Sequence, residues 1–503
     1  PNYPKTSLKS NSKSLTILSI TPFIPPILRS DSDSRGEPGM HRGTNARELA
    51  HVGTSVLSRM VLALKGVKMK AWVFLCNDSP LEHWMEGYVE RFDAWEEGGV
   101  TGLVVGRMQF CRADGTTVRG YAPDPKVYAD HGETPPDEGP RDLEKERCLL
   151  AMLDDAAGRG WPITIFAGGG TTAHVQALMK AFPQTQGVII DGPGEHSYEL
   201  AFHHGGEVFE LTPGDEARFA RAGADVDRAR RGMQHLRDRL HHLTPELVRY
   251  HAAGGMLGSL QLFDVNEDAL YWLRMRQEVS RFDWQWAREQ IDRVDGKVLL
   301  GGIPRPPVFS SLTGQNYQQM ASYFDLLFPK HYFWHRGIDG MVGTIARWVK
   351  RLGAWNPSLT VADRFSVVEA LLGIRLPGVQ TLMDLEMGLG EEFFSEVVYT
   401  ETRRALEAVG DAGKVIAWVS TGRGPHGGDQ MPTRELRGIL EASQEAGLQR
   451  FLYHPEPDFG ASEWLLISSM CGKTWDEDPA GYWPSGTDSP DTWNGGRTAP
   501  DEV

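Results

Sequence analysis

Eight short apolar runs, each separated from the next by helical patterning, constrain this chain more than any other feature of its 503 residues. They are Ala71 to Cys76, Gly102 to Met108, Ile163 to Ala167, Gly187 to Ile190, Val298 to Gly301, Leu326 to Pro329, Val415 to Val419 and Arg450 to Tyr453. Most are unbroken stretches of Val, Ile, Leu or Phe rather than alternating ones, as expected of parallel strands covered on both faces. The intervening segments carry helix punctuation: Pro432 and Thr433 open one, Leu436, Ile439 and Leu440 line one face, and Gly447 stops it. Eight such β-α units close into a (β/α)8 TIM barrel, which is the fold class the pattern predicts.

The rest of the chain arranges itself around that series. Residues 1–68 are rich in Ser, Pro, Lys and Arg, and residues 474–503 in Asp, Pro, Gly, Ser and Thr. Neither end can bury enough apolar surface to offset the entropy of ordering, so both are expected to be disordered tails to a barrel over 69–473. Two connections, at about 195–296 and 336–413, are too long for simple crossovers and are expected to lie over the barrel mouth. The first holds helical patterns at Arg228 to His242 and Asp268 to Val294.

Composition removes several function classes. Lys plus Arg number 52 against 67 Asp plus Glu, a net charge of −15 with no concentrated basic run, so nucleic acid is not an expected partner. The N-terminal apolar stretch Leu15 to Leu28 is interrupted by Pro22, Pro25 and Pro26 and is unsuited to a membrane span. It also lacks a small-residue cleavage site, which favours a cytoplasmic over a secreted location. Cys76, Cys111, Cys148 and Cys471 are too scattered for a metal knuckle or disulfide framework.

In a parallel barrel the chemistry sits where the strands end, at their carboxyl side. The fourth run ends in Asp191, followed by Glu195 and His196; the sixth in Lys330, His331, Tyr332 and Trp334; the eighth in His454 and Glu456. Arg107, Arg305, and Trp418 or Ser420 are the matching positions on strands two, five and seven. Carboxylates, imidazoles and aromatics around one rim suit a sugar, whose ring stacks on an aromatic face while charged groups take its hydroxyls. Glycosidic hydrolysis needs two carboxyl groups, for which Asp191, Glu195 and Glu456 are the candidates. Arg107, His196, Arg305, Lys330, His331, Tyr332, Trp334, Trp418 and His454 are the candidate substrate contacts.

Other chemistries use the same residues. His331, His454, Asp191, Glu195 and Glu456 could assemble a divalent-metal site for an isomerase or lyase, although no HxH or HExxH spacing marks one. Lys330 could form a Schiff base in an aldolase-like enzyme. Gly168, Gly169, Gly170 and Ala173 before Asp191 imitate a dinucleotide fingerprint, but in the third unit of eight rather than at the head of a domain. A sugar-binding barrel with a decayed catalytic pair is the non-enzymatic alternative. The hydrolase reading requires no cofactor and no metal, and its partner is a carbohydrate or other small polar substrate; oligomeric state is not legible.

Gly187 to Asp191, then Trp272, Arg274 and Arg276 on a long helix, then Tyr317 and Asp325 leading into Phe328, Pro329, Lys330, His331 and Tyr332, resemble the glycoside-hydrolase-like TIM-barrel proteins. The resemblance spans about Met69 to Gly472. It implies a catalytic carboxylate at Asp191 and a substrate contact at Tyr332. The chain departs from that pattern in having no Asn-Glu pair closing the fourth strand. Its seventh run ends in Trp418, Val419, Ser420 and Thr421, without a carboxylate.

Overall fold

The computed structural model describes residues 68–475 except 76–80, 112–115, 138, 167–169, 194–208, 295–296, 332, 334–339, 388–389, 421–431 and 456–458. These described residues all belong to one unit of the chain, 58–503. Eight strands form one sheet: β1 (Lys70–Leu75), β2 (Val100–Val105), β3 (Ile163–Phe166), β4 (Gly187–Asp191), β5 (Leu299–Ile303), β6 (Leu326–Leu327), β7 (Ala417–Ser420) and β8 (Arg450–His454). Their spatial order runs β6, β5, β4, β3, β2, β1, β8, β7, and every pairing is parallel.

The two ends of that order meet. Leu327 bridges Val415 and Lys330 bridges Trp418, both parallel, so β6 and β7 close the cylinder. Ile416 N–H donates to Leu327 C=O, Trp418 N–H to Pro329 C=O and His331 N–H to Trp418 C=O, each at 2.8 Å. The bond missing from this seam is the one Pro329 would donate, since its ring nitrogen carries no hydrogen. On the other side the ladder runs on, with Phe328 and Lys330 donating to Gly302 and Pro304. The fold is thus a closed (β/α)8 barrel.

Alternation along each strand divides the core in two. Inward-pointing Trp72, Phe74, Val104, Ile189, Ile303, Phe328, Ile416, Trp418 and Leu452 fill the barrel, with Phe166 and Leu326 packed beside them. Val73, Leu103, Ile165, Val188, Leu300 and Phe451 point outward into the main core beneath the helices. Trp72 fits because Gly102 faces it: a Cβ there would fall 2.5 Å from the indole.

Between β4 and β5, helices Pro213–Arg221, Val226–Leu240, Pro245–His251, Gly255–Leu262 and Glu267–Asp292 occupy the first long connection. Asp225 and Asn266 cap two of them, their side chains accepting from Arg228 N–H and Ala269 N–H. The second and fifth of these helices cross so closely at Gly232 that a Cβ there would lie 1.9 Å from the Asp268 carbonyl oxygen. In an exposed helix Gly→Ala gains about 1 kcal/mol. Here the obstacle is backbone, so Gly232→Ala is expected to lower stability by about 1–3 kcal/mol, read as a lower urea midpoint. The second long connection carries Met341–Trp355, Val361–Leu372, Leu382–Glu386 and Tyr399–Val409. No helix among the described residues is long and apolar enough to cross a membrane.

Candidate functional site

The carboxyl end of β4 is fixed from two directions. Gly192 turns the chain with a φ of 52°, a conformation costly for other residues, and its N–H donates to Ile303 C=O at 3.1 Å. Trp284, from the long helix Glu267–Asp292, donates its indole N–H to Pro193 C=O at 2.7 Å. Asp191 is therefore presented by a pinned strand end, with its side chain 40% exposed.

Facing it, Lys330 leaves β6 toward the barrel axis and is almost wholly buried, its side chain 1% exposed. The ammonium Nζ lies 3.0 Å from Asp191 Oδ1 and 5.8 Å from the centre of the Trp418 ring. Stripping water from a lysine costs several kcal/mol, which the carboxylate and the π-face offset. Around this pair the inward aromatics make a wall. Trp418 meets Phe74 edge-on at 5.1 Å and Phe166 at 6.2 Å, and His454 lies 4.9 Å from Phe74 and 5.8 Å from Trp418. β1, β3, β4, β6, β7 and β8 thus all contribute to one cluster at the carboxyl end of the barrel.

Of the residues singled out in the sequence, Asp191, Lys330, Trp418 and His454 come together here. Arg107 is exposed beyond β2. Arg305 is buried, and its backbone is tied down: its N–H donates to Gln315 Oε1 at 2.8 Å and its C=O accepts from the Tyr317 hydroxyl at 2.6 Å. His331 is buried too, but its ring packs on Phe333 at 5.0 Å, and Phe333 belongs to the core outside the barrel. Glu195, His196, Tyr332, Trp334 and Glu456 lie outside the described residues, as do Gly168 and Gly169. Among the described residues no group of three His, Cys, Asp or Glu side chains is placed to hold a metal ion.

Burial pushes the His331 imidazole down to about 3 from its ordinary value of 6.5, and neither ring nitrogen has a hydrogen-bond partner among the described residues. It is a neutral ring at any ordinary working pH.

Three residues quoted for the family resemblance are framework. Trp272 packs on Phe209 at 5.7 Å with Arg276 over its ring at 5.0 Å, and Asp325 accepts from Leu300 N–H and Arg288 at 2.8 Å each. Conversely, Phe74 and Phe166 belong to the cluster but were not singled out. Their signal was inward parity on β1 and β3, shared with Trp72 and Thr164.

No family model and no curated protein matches the chain. Among solved structures it is similar to the PgaB (BpsB) glycoside hydrolase domain from Bordetella bronchiseptica, at 11% identity over 80% of this chain and 98% of that one, TM-score 0.35. It is also similar to a GH18 chitinase from Pseudoalteromonas aurantia, at 12% identity over 80% and 98%, TM-score 0.32. A third is the HpcH/HpaI aldolase from Desulfitobacterium hafniense DCB-2, at 10% identity over 79% and 90%, TM-score 0.26. At these identities and scores the likenesses carry no chemical argument. The barrel rests on its own strand pairing.

Proposed function

We propose that this barrel is a carbohydrate-active hydrolase whose reacting carboxylate is Asp191. The observation that carries the reading is the contact of a half-exposed carboxylate with a buried ammonium, beside an aromatic wall, at the carboxyl end of a closed barrel. A glycosidase needs one carboxyl group kept as an anion, to attack the anomeric carbon or to activate water, and one that donates a proton to the leaving oxygen. Paired with Lys330, Asp191 takes the anionic role. Glu195 or Glu456 takes the proton-donating one.

Trp418 and Phe74, 5% and 3% exposed, form the apolar floor behind the Asp191–Lys330 pair, and in this reading a pyranose ring packs its C–H face toward that floor. Arg107, His196, Arg305, Tyr332 and His454 supply hydroxyl contacts in this reading, Trp334 stacks on a sugar ring, and Lys330 holds Asp191 while it reacts. His331, with its ring turned to Phe333, supports the end of β6 rather than the sugar.

The test is release of new reducing ends from a panel of α- and β-linked glycans, with the product anomer followed by NMR. Release by the parent protein and its loss in Asp191→Asn support the reading. Absence of release from every glycan overturns it, as does isomerase or lyase activity that depends on added Mn²⁺ and disappears on chelation.

A further inference from the structure

Lys330 is placed to do more than neutralise Asp191. A lysine attacks a carbonyl carbon only as the free amine, so an imine-forming lysine needs a base within hydrogen-bond reach to take its proton. The Asp191 carboxylate is that base, at 3.0 Å from Nζ. In water such a pair rests as two ions. Lys330 itself is buried, with the Trp418 ring 5.8 Å from Nζ and Phe74 and Phe166 packed on that ring. Asp191 is the half-exposed member of the pair, 40% against 1% for Lys330, so the inference requires a carbonyl compound to approach from the Asp191 side.

We infer that Lys330 is the nucleophile of an imine-forming step on an open-chain aldehyde or ketone, the class to which the reducing end of a sugar belongs. The ammonium passes one proton to Asp191, and the freed lone pair forms the N–C bond as the carbonyl π-electrons move to oxygen. A second proton moves from nitrogen to that oxygen, giving a carbinolamine. Asp191 then returns its proton, the C–O bond breaks, water leaves, and the third proton stays on the iminium nitrogen. One carbonyl compound is consumed and one water released, with no oxidant or reductant. This activity goes beyond glycosidic hydrolysis and stands without it.

The experiment treats the full chain with glycolaldehyde and cyanoborohydride, which reduces the iminium to a stable amine, and maps modified lysines by peptide mass spectrometry over time. Lys330 is expected to be modified ahead of the exposed Lys180 and Lys473. Its adduct should be lost in Lys330→Arg, which keeps a cation beside Asp191, and slowed ~10²–10⁴-fold in Asp191→Asn, the range for a positioned proton carrier. Modification confined to exposed lysines in the parent protein overturns the inference, as does an undiminished rate at Lys330 in Asp191→Asn. Trapping at Lys330 without release from any glycan would overturn the hydrolase reading alone, and the reverse result would overturn this one alone.

Discussion

As pH falls from 6.5 toward about 3, His331 is expected to take about 5 kcal/mol from the stability of this protein, at roughly 1.4 kcal/mol per pH unit. In the unfolded chain the imidazole binds a proton below its ordinary 6.5. In the native protein burial keeps the ring neutral until about 3. Across that window the unfolded state therefore holds more protons, and stability drops as pH drops; above 6.5 the two states hold the same number and the loss is absent. Other groups titrate in the same window, so the measurement is a difference. His331→Leu fills similar space and cannot be protonated. It also removes two buried nitrogens that have no hydrogen-bond partner among the described residues, which alone makes it at least as stable near neutrality. Denaturant unfolding of both proteins at a series of pH values should show the variant's advantage widening as the solution becomes acidic. Parallel curves would mean that the ring is hydrated or protonated in the native state.

The barrel was legible because its strands are covered on both faces and read as unbroken apolar runs. Their limits were less so. The second run extends to Met108, but pairing ends at Val105; Gly106 donates to Leu75, and the chain enters a small hairpin, Gln109–Cys111 against Thr117–Arg119. Met108 and Phe110 stay buried there, so apolarity persists after the ladder stops. The sixth run showed the opposite problem. Leu326 to Pro329 reads as one strand, but the proline withholds a donor from the seam with β7, and only Leu326–Leu327 pair continuously.

The site followed from the same logic, since a closed barrel turns the last residues of separate runs into neighbours. Asp191, Lys330, Trp418 and His454 could be named before their contacts were known, because each lies at or just past the end of a run. Phe74 and Phe166 could not. Inside an apolar run an aromatic that faces the barrel axis looks the same as one that faces the helices, and only register separates them: Phe74 pairs with Val104, and Phe166 with Ile189. His331 stands apart from the cluster for the converse reason. It directly follows Lys330, and one residue along a strand is a change of face, which carried its ring to Phe333.

Asp191→Asn is expected to reduce glycan hydrolysis by ~10²–10⁴-fold, the contribution of a positioned acid-base group, under the proposed function. The substitution is close to isosteric and leaves an oxygen that can still accept from the Lys330 ammonium. Its stability cost is therefore that of weakening one charged hydrogen bond, about 1.5–3 kcal/mol, and a thermal melt with retained circular dichroism separates that cost from lost chemistry. The kinetic signature is specific. A group acting on the reacting carbon lowers kcat and kcat/KM together, whereas a group that only holds substrate raises KM at constant kcat. Asp191→Glu provides the geometric control: it keeps the charge but moves it by one methylene, and a displacement of that size at a reacting centre costs about 10²-fold. A folded Asp191→Asn protein with parental kcat would remove Asp191 from the reaction and leave the Lys330 contact as framework at the barrel mouth.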